Sequence, residues 1–468
     1  MSDGSNNSLD RSRVPISGTP KDMTFPDYFE HTLSNGLKVI VYEEHTLPLA
    51  ALSVVAHGGG SADGAQPGLA AMTFELLTKG TAVHSATDIV EEIEFLGGSI
   101  GSGAGWDSSS AGLSILSRHL PQAFDVLTDV VRNPAFPAEE IERVREQRMT
   151  DILQSKSQPS SLAYDRFCAA LYGTHPYAHP LDGTETAVAA MQGAEMRELR
   201  SRLFVPDNMF VIGVGDIDPD AFVLLCEQAY GDMAPRGRFQ EAAFVPTLNS
   251  SRLVQVVDRP SAVQSSILVG HVGIPRGHED YIAVYLLNML FGGYFGSRLN
   301  LNLREDKGFT YGAHSRYDAR RQPGPFSAGA EVRNEVTDRA IEEILSEMER
   351  LREELVGEEE LTNVKNYVVG SFPLQIETPS QVAQRMINIE IYGLHKSYYN
   401  TFNSSILALT PEDIRRTAQR WLHPDRTAIV AAGRGNLLRN TLERFGAVEL
   451  FDADGQRIPN VESQAQDT

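Results

Sequence analysis

The chain has 468 residues, too many for one ordinary hydrophobic core, so two to four compact units are expected. Its 41% hydrophobic and 22% charged residues suit globular units and exclude disorder as the main theme. A formal charge of -21, from 41 Lys+Arg against 62 Asp+Glu, argues against nucleic acid or anionic lipid as partner, whereas a basic or extended peptide would be attracted.

In chain order, residues 1–25 are polar and punctuated by Gly and Pro, and read as a flexible tail without a signal-like apolar run. No later stretch approaches the ~20 apolar residues of a membrane span. A cytoplasmic location is expected, or a periplasmic one if a leader has been removed. "NGLKVIVYEE" and "LPLAALSVVAHGGGSADG" alternate as strands, and "PGLAAMTFELLTKGT" (Pro67 to Thr81) reads as a helix whose Leu69, Met72, Leu76 and Leu77 form a core face. "PAEEIERVREQRMTDIL" is a second helix, and "NMFVIGVGDI" closes the first unit as a strand. The Pro-rich, small-residue stretch 236–251 is the interdomain linker.

The second unit repeats the design. "SAVQSSILVGHVGIPRGHED" echoes the first glycine-ended strand. "VGEEELTNVKNYVVGSF" echoes the acidic-start helix at 137–153. In "DRAIEEILSEMERLREEL" one face carries Ile341, Ile344, Leu345, Met348, Leu351 and Leu355. The offset of about 215 residues is too long for a solenoid and suits a duplicated domain. Helices and strands mix without strict βαβ alternation. The expected class is α+β: two homologous domains, each a mostly antiparallel sheet with helices on one side, together a half-clamshell. The boundaries are 26–235 and 252–451, with a C-terminal tail at 452–468. Cys168 and Cys226 stand in no paired motif and read as small buried hydrophobes.

Sites of other chemistry are weak. His175 and His179 have the spacing of a helical metal pair, but Pro176 and Pro180 disfavour a helix there. "HGGGSADG" lacks the Lys and Ser/Thr of a phosphate loop, "WDSSSAG" is no nucleophile elbow, and "HEDYI" has Ile282 where a second histidine belongs.

The blocks "NGLKVIVYEE", "PGLAAMTFELLTKGT", "NPAFPAEEIERVREQ", "THPYAHPLDGT", "FVPDNMFVIGVGDID" and "FGGYFGSRLNLNLREDKGFTYG" occur in the order and spacing of a known family. From about Tyr28 to about Phe445 the chain resembles the insulinase/pitrilysin peptidases, inverzincins that include the mitochondrial processing peptidases. Active members hold zinc on an H-x-x-E-H helix, with a further carboxylate from a second helix. Here the five positions correspond to Ala71, Met72, Thr73, Phe74 and Glu75, and Asp151 lies near the third-ligand position. Both histidines are missing and the general-base position is a phenylalanine, so the resemblance implies no metal and no other cofactor in this chain.

The resemblance also implies a retained function. Arg304 and Tyr311 match an Arg/Tyr pair that in active members reaches the zinc and stabilises the oxyanion of peptide hydrolysis; the bland alternative is that Arg304 pairs with Glu305 or Asp306. Gly101 and Ser102 fall on the strand edge where substrate is held by β-augmentation, and Gly292, Gly293 and Phe295 lie in a segment suited to substrate contact or to packing. The implied reading is the non-catalytic subunit of a heterodimeric zinc endopeptidase, inactive alone. A homologous H-x-x-E-H subunit would supply the zinc, and peptides or unfolded segments would be the substrates. An inert scaffold or peptide-binding protein of the same fold is the alternative, and a self-sufficient peptidase with a different metal site a third.

Overall fold

In the computed structural model, which describes residues 24–246 and 250–459, the chain builds two sheets of matching design. The first contains β1 (Phe29–Thr32), β2 (Lys38–Glu43), β3 (Leu49–His57), β4 (Ser99–Ala104), β5 (Ser108–Leu116) and β6 (Met209–Gly215), ordered β1-β2-β6-β3-β5-β4. The second contains β7 (Leu253–Asp258), β8 (Gln264–Val272), β9 (Ala313–Tyr317), β10 (Pro325–Arg333), β11 (Ala428–Gly433), β12 (Val448–Phe451) and β13 (Arg457–Ile458), ordered β13-β12-β7-β11-β8-β10-β9. The run β2-β6-β3-β5-β4 corresponds strand for strand to β7-β11-β8-β10-β9. In each run the first pair is parallel and the rest antiparallel. The repeat in the sequence is therefore a repeat of topology, and the expected α+β class holds.

The placement of helices on one side is incomplete as an expectation. One face of the first sheet packs on its own helices Leu69–Glu75, Leu120–Arg132 and Pro219–Tyr230, and Gly193–Leu203 packs on the first of these. Its other face is covered by Pro379–Tyr392, which comes from the second half and packs on β3 and β6. The exchange is reciprocal: Pro159–Tyr172, from the first half, packs on β8 and β11, placing Phe167 among Val257, Leu268 and Val430. Every residue of β6 and of β11 is buried in consequence. The uninterrupted apolar runs "MFVIGVG" and "AIVAAG" are the physical reason, since a strand covered on both faces has no solvent-facing position to alternate with. The boundaries 26–235 and 252–451 remain a proposed division along the chain, and packing crosses them.

Three expected segment ends shift. Within the expected tail 1–25, Phe25 is buried against Tyr399 and its N–H donates to Asn400 Oδ1 at 2.6 Å; residues 1–23 lie outside the described ones. Within 452–468, Asp452 Oδ1 accepts from the amides of Asp454 and Gln456. This closes a turn that brings Arg457–Ile458 back onto β12. Residues 460–468 are again outside the description. The linker 236–251, of which 247–249 are not described, is docked along 236–244: Arg236 N and Gly237 N donate to Asp207, and Phe239 N donates to Asn208 Oδ1 at 2.8 Å. Both cysteines are buried.

Candidate functional site

The helix at the degenerate motif spans Leu69–Glu75. Its start is set by Gly68, whose φ of 89° lies in the left-handed region; a Cβ there would also meet Gly183 Cα at 2.7 Å. The carboxylate of Asp63, itself buried, accepts from Gly68 N at 2.8 Å and Ala70 N at 2.7 Å, satisfying donors at the helix start. Burial pushes the Asp63 carboxyl up to about 7, against the pull of these two donors. All residues from Leu69 to Phe74 are buried, and Phe74, fully enclosed, stacks on Phe204 with centroids 5.2 Å apart. A helix apolar on nearly all sides belongs to a core. Ala71 and Phe74 offer no donor atom to a metal.

Glu75 ends this helix, half-buried, and its carboxylate accepts from the guanidinium of Arg148 on the helix Ala138–Ser157. Arg148 is 8% exposed and also binds Asp182 Oδ1 at 2.9 Å. The cation facing the one carboxylate of the motif is thus an arginine. Asp151, expected beside Glu75, instead lies exposed on the same helix as Arg148 and accepts from Gln147 Nε2 at 2.9 Å. One helical turn separates it from Arg148, which takes the inward position. Among the described residues no group of three or more His, Cys, Asp or Glu is arranged to hold a metal ion. The residues present do not fit catalytic zinc, which needs three protein ligands. His175 and His179 flank a short 3₁₀ turn, where His175 Nδ1 accepts from Tyr177 N and His179 Nδ1 donates to Pro180 O.

Gly101 and Ser102 lie on β4, an edge of the first sheet, and open space faces the position of a Gly101 Cβ. Ser102 Oγ donates to Thr78 Oγ1 at 3.4 Å. In the second half the equivalent edge is β9, and the Arg/Tyr segment leads into it. Arg304 sits on a wide helical turn, Asn300–Asp306, of the i→i+5 type found often at functional sites. Its guanidinium carbon lies 4.5 Å from the ring centroid of Phe295, which is 69% exposed, and its Nε is 3.6 Å from Glu305. Tyr311 is 95% exposed in the loop before β9. The fold brings Phe295 to Arg304. Gly292 is a correction: it is buried, and a Cβ would meet Ser315 N at 2.5 Å, so its lack of a side chain serves close packing under β9. At Gly293 a Cβ would meet Met289 Sδ at 2.7 Å, which also argues for packing.

Sequence reasoning missed a buried polar joint between the halves. Asp107, just after β4, accepts from Tyr177 Oη at 2.7 Å and from the backbone N–H of Arg321 at 3.0 Å. Arg320, 2% exposed, lies against the rings of Trp106 (4.3 Å) and Tyr177 (4.5 Å) and donates to Asp318 at 2.7 and 3.0 Å. Tyr172 Oη donates to Pro323 O at 3.0 Å. The linker joins in: Arg238 donates to the His57 ring at 2.7 Å, and Glu241 lies 3.2 Å from Tyr177 Oη. Burial, with Arg238 and Arg321 nearby, holds His57 down to about 3. The available signal was polar residues between apolar strands, at "GWDS" and "YDARRQP", which solvent-facing loops display equally.

Comparison with known proteins now places this architecture. The insulinase (peptidase family M16) model matches residues 38–185, and the model described as peptidase M16 inactive domain matches residues 190–368. An uncharacterized zinc protease of Mycobacterium bovis is 28% identical over 409 residues, covering 86% of this chain and 93% of its own. The uncharacterized zinc protease YmxG of Bacillus subtilis is 24% identical, covering 87% and 98%. Among solved structures, a peptidase M16 inactive domain from Pseudomonas fluorescens has a TM-score of 0.82 at 27% identity, covering 87% of this chain and 98% of that one. A protease from Helicobacter pylori shares the fold, with a TM-score of 0.79 at 18% identity. With consecutive family models over both halves and the same two-sheet fold, the chain belongs to the peptidase M16 (insulinase) family.

Proposed function

We propose that this chain is the non-catalytic subunit of a two-chain zinc endopeptidase, presenting Arg304 and Tyr311 to a peptide held at the zinc of a homologous H-x-x-E-H subunit. The observation that carries this reading is the contrast between the two motifs. The former metal helix is absorbed into a core, with Phe74 enclosed and Glu75 bound by Arg148, whereas Tyr311 stands 95% exposed. A tyrosine ring left in water by its own chain is available to a second molecule. Hydrolysis would belong to the partner. This chain would add the Tyr311 hydroxyl and the forked donors of Arg304, which suit a carbonyl oxygen acquiring negative charge. The β4 edge at Gly101 and Ser102 would pair with extended peptide backbone.

The test is steady-state peptide cleavage by the chain reconstituted with an H-x-x-E-H homologue, with complex formation and zinc content followed in parallel. Tyr311→Phe is expected to lower turnover by ~10² to 10³, the usual cost of one oxyanion donor, and Arg304→Ala by at least as much. Assembly and the partner's zinc should be unchanged. Normal turnover in both variants would leave this chain as a chamber wall, and failure of any homologue to bind would favour the inert scaffold.

A further inference from the structure

A cavity of about 260 Å³ lies in the second half where the end of β9 meets the helices Tyr281–Asn288, Pro379–Tyr392 and Tyr398–Ala408. Its wall carries three arginines, Arg276, Arg316 and Arg385, and one carboxylate, Asp318. Asp318 is already engaged by Arg320 through bonds of 2.7 and 3.0 Å, and Arg316 reaches it only at 3.8 Å. Arg276 is 9% exposed, yet its guanidinium makes one side-chain hydrogen bond, to Tyr398 Oη at 3.1 Å. It is otherwise stacked on Tyr281 at 3.9 Å and Tyr398 at 4.7 Å. Arg385 donates to Gln375 Oε1 at 2.6 Å. Among the described residues neither Arg276 nor Arg385 has an ion-pair partner. Tyr399, 4% exposed in the same wall, has a hydroxyl without a hydrogen-bond partner.

Buried charge is ordinarily paired, because desolvating an ion costs more than ring stacking returns. In a chain of formal charge -21, buried Arg276 without an ion partner, beside half-buried Arg385 in the same wall, is an exception that an anion would resolve. Forked N–H donors match a carboxylate. The remaining wall is mainly aromatic, with Tyr281, Tyr285, Phe372 and Phe402, and carries the amides of Gln375 and Asn388. We infer that this cavity is a binding site for a carboxylate on an aromatic or apolar stem, held by Arg276 and Arg385. The same chemistry is offered by the C-terminal residue of a peptide and by a free aromatic acid. The inference does not rest on the two-chain reading, since it concerns this chain alone.

Calorimetric titration of the full chain with N-acetylphenylalanine and with N-acetylphenylalaninamide tests it. The acid is expected to bind in the millimolar range or tighter, and the amide at least ~10-fold more weakly, because the charge-assisted bonds are lost. Arg385→Gln should weaken the acid by ~10-fold or more and leave the amide unchanged. Arg276→Met, which replaces a buried cation by an apolar side chain, should abolish binding of the acid; should it fail to fold, Arg385→Gln still decides. A pentapeptide ending in a free Phe distinguishes the sources: equal binding identifies a peptide terminus, and binding only of N-acetylphenylalanine and benzoate identifies a small acid. Equal affinity for acid and amide, no binding of either acid at about 10 mM, or full affinity in a folded Arg385→Gln would overturn the inference.

Discussion

Phe74→Glu restores the residue type of a general base at its motif position, and the structure predicts that the protein will not tolerate it. Phe74 is 0% exposed and stacked on Phe204. Removing a buried Phe ring costs ~3 to 5 kcal/mol in cores that relax only partly. A carboxylate in its place has no donor among these apolar neighbours, so it must be protonated or drag water inward, adding a further penalty. The sum is at least ~4 kcal/mol, a large share of the ~5 to 15 kcal/mol that separates folded from unfolded domains. Phe74→Leu, an apolar control, should cost less than half of this. Urea unfolding followed by tryptophan emission is suitable, because the two tryptophans, Trp106 and Trp421, lie in different halves. A glutamate variant within about 1 kcal/mol of the parent would refute the enclosed position of Phe74. The triple variant Ala71→His, Phe74→Glu, Glu75→His should, by the same reasoning, retain no zinc in equilibrium dialysis, since Arg148 occupies the side from which a third ligand would come.

Further outcomes follow from named contacts. Arg148→Met should cost under ~1.5 kcal/mol, because Met replaces the buried stem and Glu75 and Asp182 have side chains 41% and 75% exposed; a loss above ~3 kcal/mol would show the pair to be far less solvated than its exposure indicates. Tyr177→Phe removes a donor from buried Asp107 and should cost ~1 to 3 kcal/mol, read as a lower unfolding midpoint. His57 gives a pH dependence with a definite sign. It is held down to about 3 in the folded chain against an ordinary 6.5, so below pH 6.5 only the unfolded chain takes up the proton. Its contribution to stability is complete above pH 6.5 and falls by ~1.4 kcal/mol per unit as pH drops toward 3. His57→Gln should flatten the decline between pH 6.5 and 5, and an unchanged slope would exclude His57 as its source.

How much of this was legible in the sequence depended on whether the signal was local. The sheets were, because β3 and β8 are matching apolar runs that each lead into a glycine-containing turn, and the departure from the zinc motif was, because five residues in one helix decide it. The exchange of helices was not. "QPSSLAYDRFCAALY" and "TPSQVAQRMINIEIY" each open with a proline start and an apolar stripe, and nothing in a stripe names the sheet it will cover. The unbroken apolar runs of β6 and β11 announced only that a second cover was needed. The resemblance asks for an acidic ligand and so points to Asp151, while the fold turns Arg148 inward at one turn's distance. In the sequence Gly292 fits substrate contact and packing equally, and only the backbone of β9 against it decides for packing.

The exchanged helices also bear on why the emptied motif helix persists. Leu69–Glu75 packs on β4 and on Gly193–Leu203, and its capping residue Asp63, itself buried, precedes it in the connecting loop. Metal ligands contribute nothing to these contacts, so their loss removes chemistry without loosening the sheet. The second half is held to the first through Pro379–Tyr392 and through the Asp107, Tyr177 and Arg320 joint. Disrupting the first sheet would therefore disturb the platform that carries β9, Arg304 and Tyr311. Selection on any role of Arg304 and the exposed Tyr311 is enough to preserve the helix as scaffold, with Phe74 serving packing where a base would serve hydrolysis.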